Sequence, residues 1–375
     1  MKLTILDNVD QLRERAAEWD DLWRRSEVNL PTTRAALVAL WIDHFAPAAT
    51  FRALTIEDGG RLVAALPLVE ESHGGVCHVG TLPNNDSTVS GEFLLDPTAD
   101  REQIIDTLVA GLRALPWPLL WLRLMRCDRN GWQILAAACQ RAQLSTFQHP
   151  QHEVGVIDLP HDFKTFEASW SGNHRRHMGK AQRRLVREGG AELHVYSALQ
   201  PDEVEPLLAS GFQIEDRGWK GTEGTSVLAT PGMFEYFLHQ AEQLAAWGHL
   251  QLVFLVHQNR PIAFEYGWRA KGTYFTPKVA FDEAFSQYTP SQVLRYRLYE
   301  RYCAEPAPPT VDYMGPLADA TAKWITGQYE VGATMIALSG VVGRTMLGAY
   351  RLARATRHRL RRKPAPVAPV GQAIA

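Results

Sequence analysis

The sequence predicts an α/β layer fold of the α+β kind, built as two similar modules. Three observations point there. Amphipathic runs at helical spacing alternate with short runs of strand character, the pattern of helices packed on a mixed sheet. Turn residues join consecutive strand-like runs closely enough to make antiparallel hairpins. The helix, hairpin and strand order of the first half returns in the second, without sequence identity visible between them. The 375 residues, 46% of them hydrophobic, supply two cores and argue against disorder over most of the chain. A balance of 39 Lys+Arg against 41 Asp+Glu, net −2, argues against a general nucleic-acid binder.

Each element follows from its residues. Val9–Arg25 reads as a helix with Leu12, Ala16, Trp19, Leu22 and Trp23 on one face and Asp10 placed to cap. A second helix follows Pro31, capped by Thr32 or Thr33 and ended by Pro47. Phe51–Glu57 and Leu62–Glu70 form a hairpin about Asp58-Gly59-Gly60, and Gly75–Gly80 is a candidate third strand. Arg101–Leu115 is helical, Leu119–Leu124 a strand, Gly131–Ala142 a helix and Glu153–Leu159 a strand. Phe163–Glu188 is a helix pair or a broken helix, stopped by Gly189-Gly190. Pro201–Asp216 is a helix with a break expected near Gly211, and Pro231–Trp247 is another. Leu250–His257, Pro261–Ala270 and Thr273–Phe281 make an antiparallel meander. Ser291–Cys303 is a helix and Pro309–Tyr313 a strand. Gly340–Lys363 is a basic helix, and the Pro-rich remainder reads as disordered. The expected boundaries are a degenerate module over 1–160, a second module over 161–335 and a basic tail over 336–375.

Cys77, Cys127, Cys139 and Cys303 form no C-x-x-C pair, and His149-x-x-His152 and His174-x-x-His177 lack a third ligand nearby, so no metal is expected. The opening residues lack an apolar signal region, and the nearest apolar run, Val331–Gly343, is too short to span a bilayer. The expectation is a cytoplasmic protein without a membrane span. Its Arg-rich end either caps the second module or lies on an anionic membrane surface at the inner face.

Four segments in succession carry a resemblance: NHRRHMGKAQRRLVREGG, IEDRGWKGTEGTSV, LVFLVHQNRPIAFEYGWRAKGTYFTPKVAFDEAFSQYTPSQVL and VDYMGPLADATAKWITG. Together they resemble the GNAT-like acetyltransferase domain of CelD-type cellulose and exopolysaccharide biosynthesis proteins. These are distantly similar to the Fem-type aminoacyl transferases, which carry two GNAT-like modules. The resemblance is strongest over residues 165–328. It implies tandem GNAT-like modules, each a mixed, mostly antiparallel twisted sheet flanked by helices, and an acyltransferase that uses acetyl-CoA or another acyl-CoA. One departure stands out. The Q/R-x-x-G-x-G/A loop that holds the pyrophosphate in ordinary GNAT enzymes is replaced by Gln287 to Val293, QYTPSQV, without glycine.

N-acylation needs a base for the amine, polarisation of the thioester carbonyl and a hold on the anionic carrier. Candidate bases lie in two places, Glu215 with Asp216 just before the Arg217-Gly-Trp-Lys220 run and Asp282 with Glu283 at the end of the third meander strand, where a GNAT fold opens its cleft; solvated loop carboxylates are the alternative. Glu265, mid-strand, faces either the cleft or a core ion pair. Tyr288 is a candidate acid for the leaving thiolate. Thr289, Ser291, Gln292 and Val293 open a helix whose start suits a phosphate or simple capping. Trp219 with Lys220, and Lys323 with Trp324, suit a ring-bearing charged substrate, or else a core Trp beside a snorkelling Lys. The basic helix with Arg175 and Arg176 suits a polyanion or a diphosphate-linked substrate, or is a solvated face; Arg217 adjoins Trp219 as a further substrate contact, and the resemblance adds Asp312. The expected reaction moves an acyl group from acyl-CoA to an amine or hydroxyl of a sugar-like or cell-envelope precursor. The alternatives are a Fem-type transferase using aminoacyl-tRNA and a non-catalytic GNAT-like scaffold in polysaccharide synthesis.

Overall fold

The computed structural model describes residues 1–73, 77–338 and 340–361, with only the backbone for 357–361. The first half runs β1 (Lys2–Leu6), α1 (Val9–Glu14), α2 (Ala16–Arg25), α3 (Ala35–Phe45), β2 (Phe51–Asp58), β3 (Arg61–His73), β4 (Cys77–Thr81), the short β5 (Asn84–Asn85), β6 (Thr88–Val89) and β7 (Leu94–Leu95), then α4 (Arg101–Leu112), β8 (Leu119–Arg126), α5 (Asn130–Arg141) and β9 (Thr146–Asp158). The second half runs α6 (Phe163–Ser169), α7 (Gly172–Arg187), β10 (Glu192–Tyr196), α8 (Pro201–Asp216), α9 (Trp219–Thr222), α10 (Met233–Ala246), β11 (Leu250–His257), β12 (Arg260–Ala270), β13 (Thr273–Phe281), α11 (Pro290–Cys303), β14 (Thr310–Asp312), β15 (Gly327–Ala337) and α12 (Val342–Arg361).

Among the described residues one mixed sheet has the path β1-β2-β3-β4-β8-β15-β9-β14-β13-β12-β11-β10, with β7 attached to β3. The path is a pseudo-twofold palindrome. Each half contributes an antiparallel run of four strands, β1 to β4 and β10 to β13, ending in a parallel pair, β4 with β8 and β13 with β14. The last strands are exchanged. β9 ends the first half yet pairs with β14, whereas β15 comes from the second half and pairs with β8; β9 and β15 pair with each other at the axis. Helices cover both faces. The face carrying α2, α3, α8 and α10 buries a core shared between the halves, with Trp19, Trp41, Phe212 and Phe237 among its members. The other face has one core under α4 and α5 and another under α6, α7 and α11.

The feature that positions the site is the β13–β14 pair. Its register is Thr273 with Thr310, Tyr274 with Val311 and Phe275 with Asp312, and there it stops. Beyond Phe275, β13 continues to Phe281, held by β12 on its other edge only. At the same point β13 bulges: its register to β12 shifts between Tyr266 and Trp268, so Thr276 and Pro277 together oppose Gly267. Gly267 is required there, because a Cβ would stand 2.5 Å from the Phe275 carbonyl oxygen. A wedge therefore opens between two parallel strands at a bulge.

Several local expectations change. Val9–Arg25 is two helices, because Arg15 leaves helical geometry and its guanidinium is drawn to Glu18 and Glu57. Asn8, not Asp10, caps the first of them. The helix after Pro31 is capped neither by Thr32 nor by Thr33 but from another element: Asp20 on α2 accepts the Ala35 N–H at 3.0 Å while pairing with Arg34. Gly211 does not break α8. It lets the helix press on Phe264, whose ring would lie 2.3 Å from a Cβ. β10 and β15 were not expected; Gly327 and Gly332 obscure the strand pattern of β15, and a Cβ on Gly332 would meet Cys127 Sγ at 2.6 Å. The candidate strand at Gly75–Gly80 begins at Cys77; Gly75 and Val76 lie outside the described residues, as does the chain beyond Arg361.

Candidate functional site

A cavity of about 290 Å³ sits at the pseudo-twofold axis, on the face that carries α2, α3, α8 and α10. Both halves line it. The first supplies Val28, Asn29 and Leu30 before α3, the β5–β6 hairpin, Glu92, Arg126 at the end of β8 and Arg129 beyond it; the second supplies Phe237, Gln240, Trp268, Phe275, Asp312 and Tyr329. Mostly apolar walls with a few convergent polar groups mark a ligand site. Two non-glycine residues of the lining, Leu124 (φ 56°) and Met314 (φ 58°), hold left-handed backbone, a strain that accumulates at functional positions.

Asp312 is the centre of this site. It ends β14, where the pairing to β13 stops, and it is 3% exposed. Its Oδ1 accepts the Met314 N–H at 2.8 Å, and the Tyr329 hydroxyl stands 3.1 and 3.0 Å from its two oxygens. Arg126 Nη1 lies 3.7 Å from Oδ2, with the guanidinium stacked 3.8 Å over the Tyr329 ring and anchored by Asp128. Burial raises the Asp312 carboxyl above the ordinary aspartate range, opposed by the Met314 N–H, Arg126 and Tyr329. Burial and the Asp312 charge push the Tyr329 phenol well above its usual value, so it remains a donor. A buried carboxylate raised above its ordinary range, oriented by two residues and lining a cavity, is equipped to take a proton from a bound amine.

The residues expected from sequence fall in three places. Glu215, Asp282, Glu265 and Tyr288 do not line the cavity. Glu215 is buried, 2.5 Å from Lys220 Nζ, and accepts the Val227 N–H at 3.0 Å. Asp282 is buried between Arg217 (2.9 Å) and Arg260 (2.7 Å) and accepts the Ala284 N–H. Glu265 is fully buried against Arg295 (2.9 Å) and the Tyr274 hydroxyl (3.0 Å), the core ion pair rather than the cleft position. Tyr288 donates to Glu188 and packs on His257. Each of these groups has its hydrogen bonds committed to holding elements together.

The second place is the start of α11. Thr289 adopts left-handed backbone (φ 50°), Pro290 fills the first helical position and supplies no N–H, and Val293 is buried. Gln292 accepts from Trp324 Nε1 at 2.7 Å. Ser291 is half-buried beside them. Trp324 itself is buried among Trp170, His174 and Tyr299. Burial and the charges of Lys323 and His177 pull His174 down to about 4, so it is neutral at physiological pH. Arg184 reaches the Gln287 carbonyl at 3.4 Å, and Lys323 is exposed. A proline and a tryptophan thus stand where glycines would free backbone N–H groups, and cations of α7 and the β14–β15 connection surround them. The third place is α8–α9, where Trp219 is 54% exposed beside Lys220 and Arg217. Arg175 caps α6 through the Ala168 and Trp170 carbonyls, and Arg176 is exposed.

Of the sequence candidates only Asp312 lines the cavity. Sequence reasoning missed Arg126, Arg129, Tyr329, Trp268 and Glu92. The usable signal was the charged run Arg126, Asp128, Arg129 straight after an apolar strand, since α/β sheets place ligands at the carboxyl ends of strands. Among the described residues no group of three or more His, Cys, Asp or Glu could hold a metal ion.

Residues 172–323 match the profile of an acetyltransferase (GNAT) domain. The fold extends further. FemX superposes with a TM-score of 0.58 at 9% identity, covering 89% of this chain and 97% of its own. A conserved protein of unknown function from Bacteroides thetaiotaomicron VPI-5482 gives 0.54 at 10%, covering 89% and 100%. The C-terminal domain of a putative lysylphosphatidylglycerol synthetase from Agrobacterium fabrum gives 0.52 at 13%, covering 93% and 96%. At these identities the likeness is one of fold. No protein with a curated description matches the chain. The matched acetyltransferase domain, that of an acyltransferase, occupies the half that contains the β13–β14 wedge, and the palindromic sheet repeats its strand order in the other half.

Proposed function

We propose that the chain transfers an acyl group from acyl-CoA to an amine held in the central cavity, with Asp312 as the general base. The observation that carries this is the position of Asp312: its carboxylate closes the parallel pairing at Phe275, so it stands where the wedge meets the cavity. The unpaired edge of β13 from Thr276 to Phe281 suits an extended, amide-bearing arm, which would add to the sheet as a strand does. Thr276 Oγ1 is buried without a hydrogen-bond partner among the described residues, so an arm there meets an unused polar group. Lys323 and Arg184, beside the start of α11, are the groups that would hold the carrier's phosphates; acyl-CoA supplies the activated carbonyl. This chain's part is to fix the amine, accept its proton at Asp312 and keep Tyr329 donating to that carboxylate.

The acceptor is read as a sugar-like or cell-envelope precursor, its hydroxyl being the alternative nucleophile. A second reading has one observation in its favour: Arg176, Lys180 and Arg183 form an exposed cationic face on α7, which suits a larger polyanionic carrier such as aminoacyl-tRNA. Calorimetry separates the two. Binding of acetyl-CoA and desulfo-CoA, with thiol release in the presence of an amine, supports the first reading. Binding of aminoacyl-tRNA alone moves the assignment to the second, and binding of neither leaves a non-catalytic scaffold.

A further inference from the structure

One end of the cavity carries Arg129, whose guanidinium is held by neutral acceptors. Arg129 donates to the Glu27 carbonyl at 2.5 Å and to Asn29 Oδ1 at 2.6 Å, and Asn29 is fixed in turn by Thr273 at 2.8 Å. Both acceptors are neutral. Arg129 forms no ion pair among the described residues, and its Nε is buried without a partner. Glu92, which also lines the cavity and accepts the Phe93 N–H, is raised by burial and lowered in turn by the Arg129 charge, without a direct ion pair between the two. Below it Lys271 donates to the carbonyls of Trp23, Ser26 and Val28 and likewise has no carboxylate; burial and the Arg129 charge pull it down to about 8. Orienting a partly desolvated guanidinium with neutral groups is costly unless an anion joins it.

The opposite end of the same space holds Asp312, near enough to Arg129 for the cation to lower its carboxyl. Trp268, Phe275 and Asp312 lie abreast on β12, β13 and β14, so Trp268 and Asp312 are about 10 Å apart at two strand spacings. Trp268 Nε1 is buried and has no partner among the described residues, and it can only donate. The lining thus offers the Asp312 carboxylate at one end, Arg129 beside Glu92 at the other, Asp86 in the wall, and in Trp268 Nε1 a donor without an acceptor among the described residues.

We infer that the acceptor is a zwitterion: a primary amine carrying a carboxylate or phosphate a few bonds away, its nitrogen at Asp312 and its acid group on Arg129. This deepens the reading that the cavity holds the acceptor and rests on it. Trp268 Nε1 takes a further oxygen of the same molecule, and Phe275 lies under its middle. The overall charge of −2 gives the protein no general attraction for anions, so the preference is local to this end of the cavity.

The test uses two matched pairs, 4-(aminomethyl)benzoate with benzylamine and glucosamine 6-phosphate with glucosamine, titrated calorimetrically at constant ionic strength into the full chain and into Arg129→Gln and Arg129→Lys. The first pair probes a carboxylate and the second a phosphate. The acidic member of at least one pair should bind about tenfold or more tighter than its neutral partner, as expected for a charge-assisted hydrogen bond. The advantage should vanish in Arg129→Gln and return in part in Arg129→Lys, with thermal melting showing that both variants fold. Equal binding within both pairs, no binding by any of the four, or an advantage that survives Arg129→Gln overturns the inference. Because no acyl donor is present, binding that behaves as expected without subsequent transfer from acetyl-CoA overturns the donor reading alone.

Discussion

Replacing Asp312 by asparagine separates chemistry from stability at one atom. The amide keeps the volume of the carboxylate, and its oxygen can still accept the Met314 N–H. It cannot take a proton, so the rate should fall by about 10²–10⁴-fold, the usual contribution of a positioned base. Stability should move little, and its sign can be worked out. A carboxyl raised in the folded state disfavours folding once it ionises; that penalty grows as pH rises from the ordinary aspartate value through the raised one. The D312N variant carries no such penalty, so the wild type should lose stability relative to it across that window, offset by the Tyr329 bond. The acid limb of the wild-type kcat/KM profile should lie above the ordinary aspartate pKa and be absent in D312N. Tyr329→Phe removes a donor to the carboxylate worth about 1.5–3 kcal/mol and should move that limb up by roughly one to two pH units. A D312N enzyme with wild-type turnover, or a limb that ignores Tyr329→Phe, refutes the assignment.

Other outcomes follow from the same contacts. Glu265→Gln strands a buried Arg295, which is 3% exposed, and should cost about 3–5 kcal/mol in chemical denaturation, whereas Glu265→Leu with Arg295→Met should cost markedly less. Gly211→Ala should destabilise by about 1–3 kcal/mol through the Phe264 contact, measured by thermal melting; a stabilised protein would mean that the helix can shift away. Lys323→Ala should weaken desulfo-CoA binding in calorimetry without changing the melting temperature, since the side chain is exposed. We also propose that the cationic end of α12, where Arg351 and Arg354 stand exposed beside an exposed Leu352, meets anionic lipid. Deleting the residues after Tyr350 should abolish sedimentation with phosphatidylglycerol vesicles, and unchanged sedimentation removes the idea.

The fold was legible where pattern is local. The Phe51–His73 hairpin, the β11–β13 meander and the helix pair in 163–188 follow from turn residues and periodicity. The exchange of β9 and β15 was not legible, since nothing in a strand's own residues names a partner contributed by the other half. The site followed the same division. Asp312 was singled out, but as a binding residue, because its partners Tyr329 and Arg126 reach it only through that exchange. Glu215 and Asp282 looked available because their counter-ions, Lys220 and Arg217, read equally well as substrate contacts. In Glu265 the sequence left two environments open, and its position opposite Val279 in a fully paired stretch of β12 puts it under α11 rather than in the wedge.

Central to the proposed transfer is the edge of β13 beyond Phe275, which receives the donor arm. Amide hydrogen exchange with and without desulfo-CoA measures this directly. Slowed exchange centred on Thr276–Phe281 at saturating ligand is the expected result. Bound desulfo-CoA that leaves those amides unchanged, or that protects the first half instead, contradicts it.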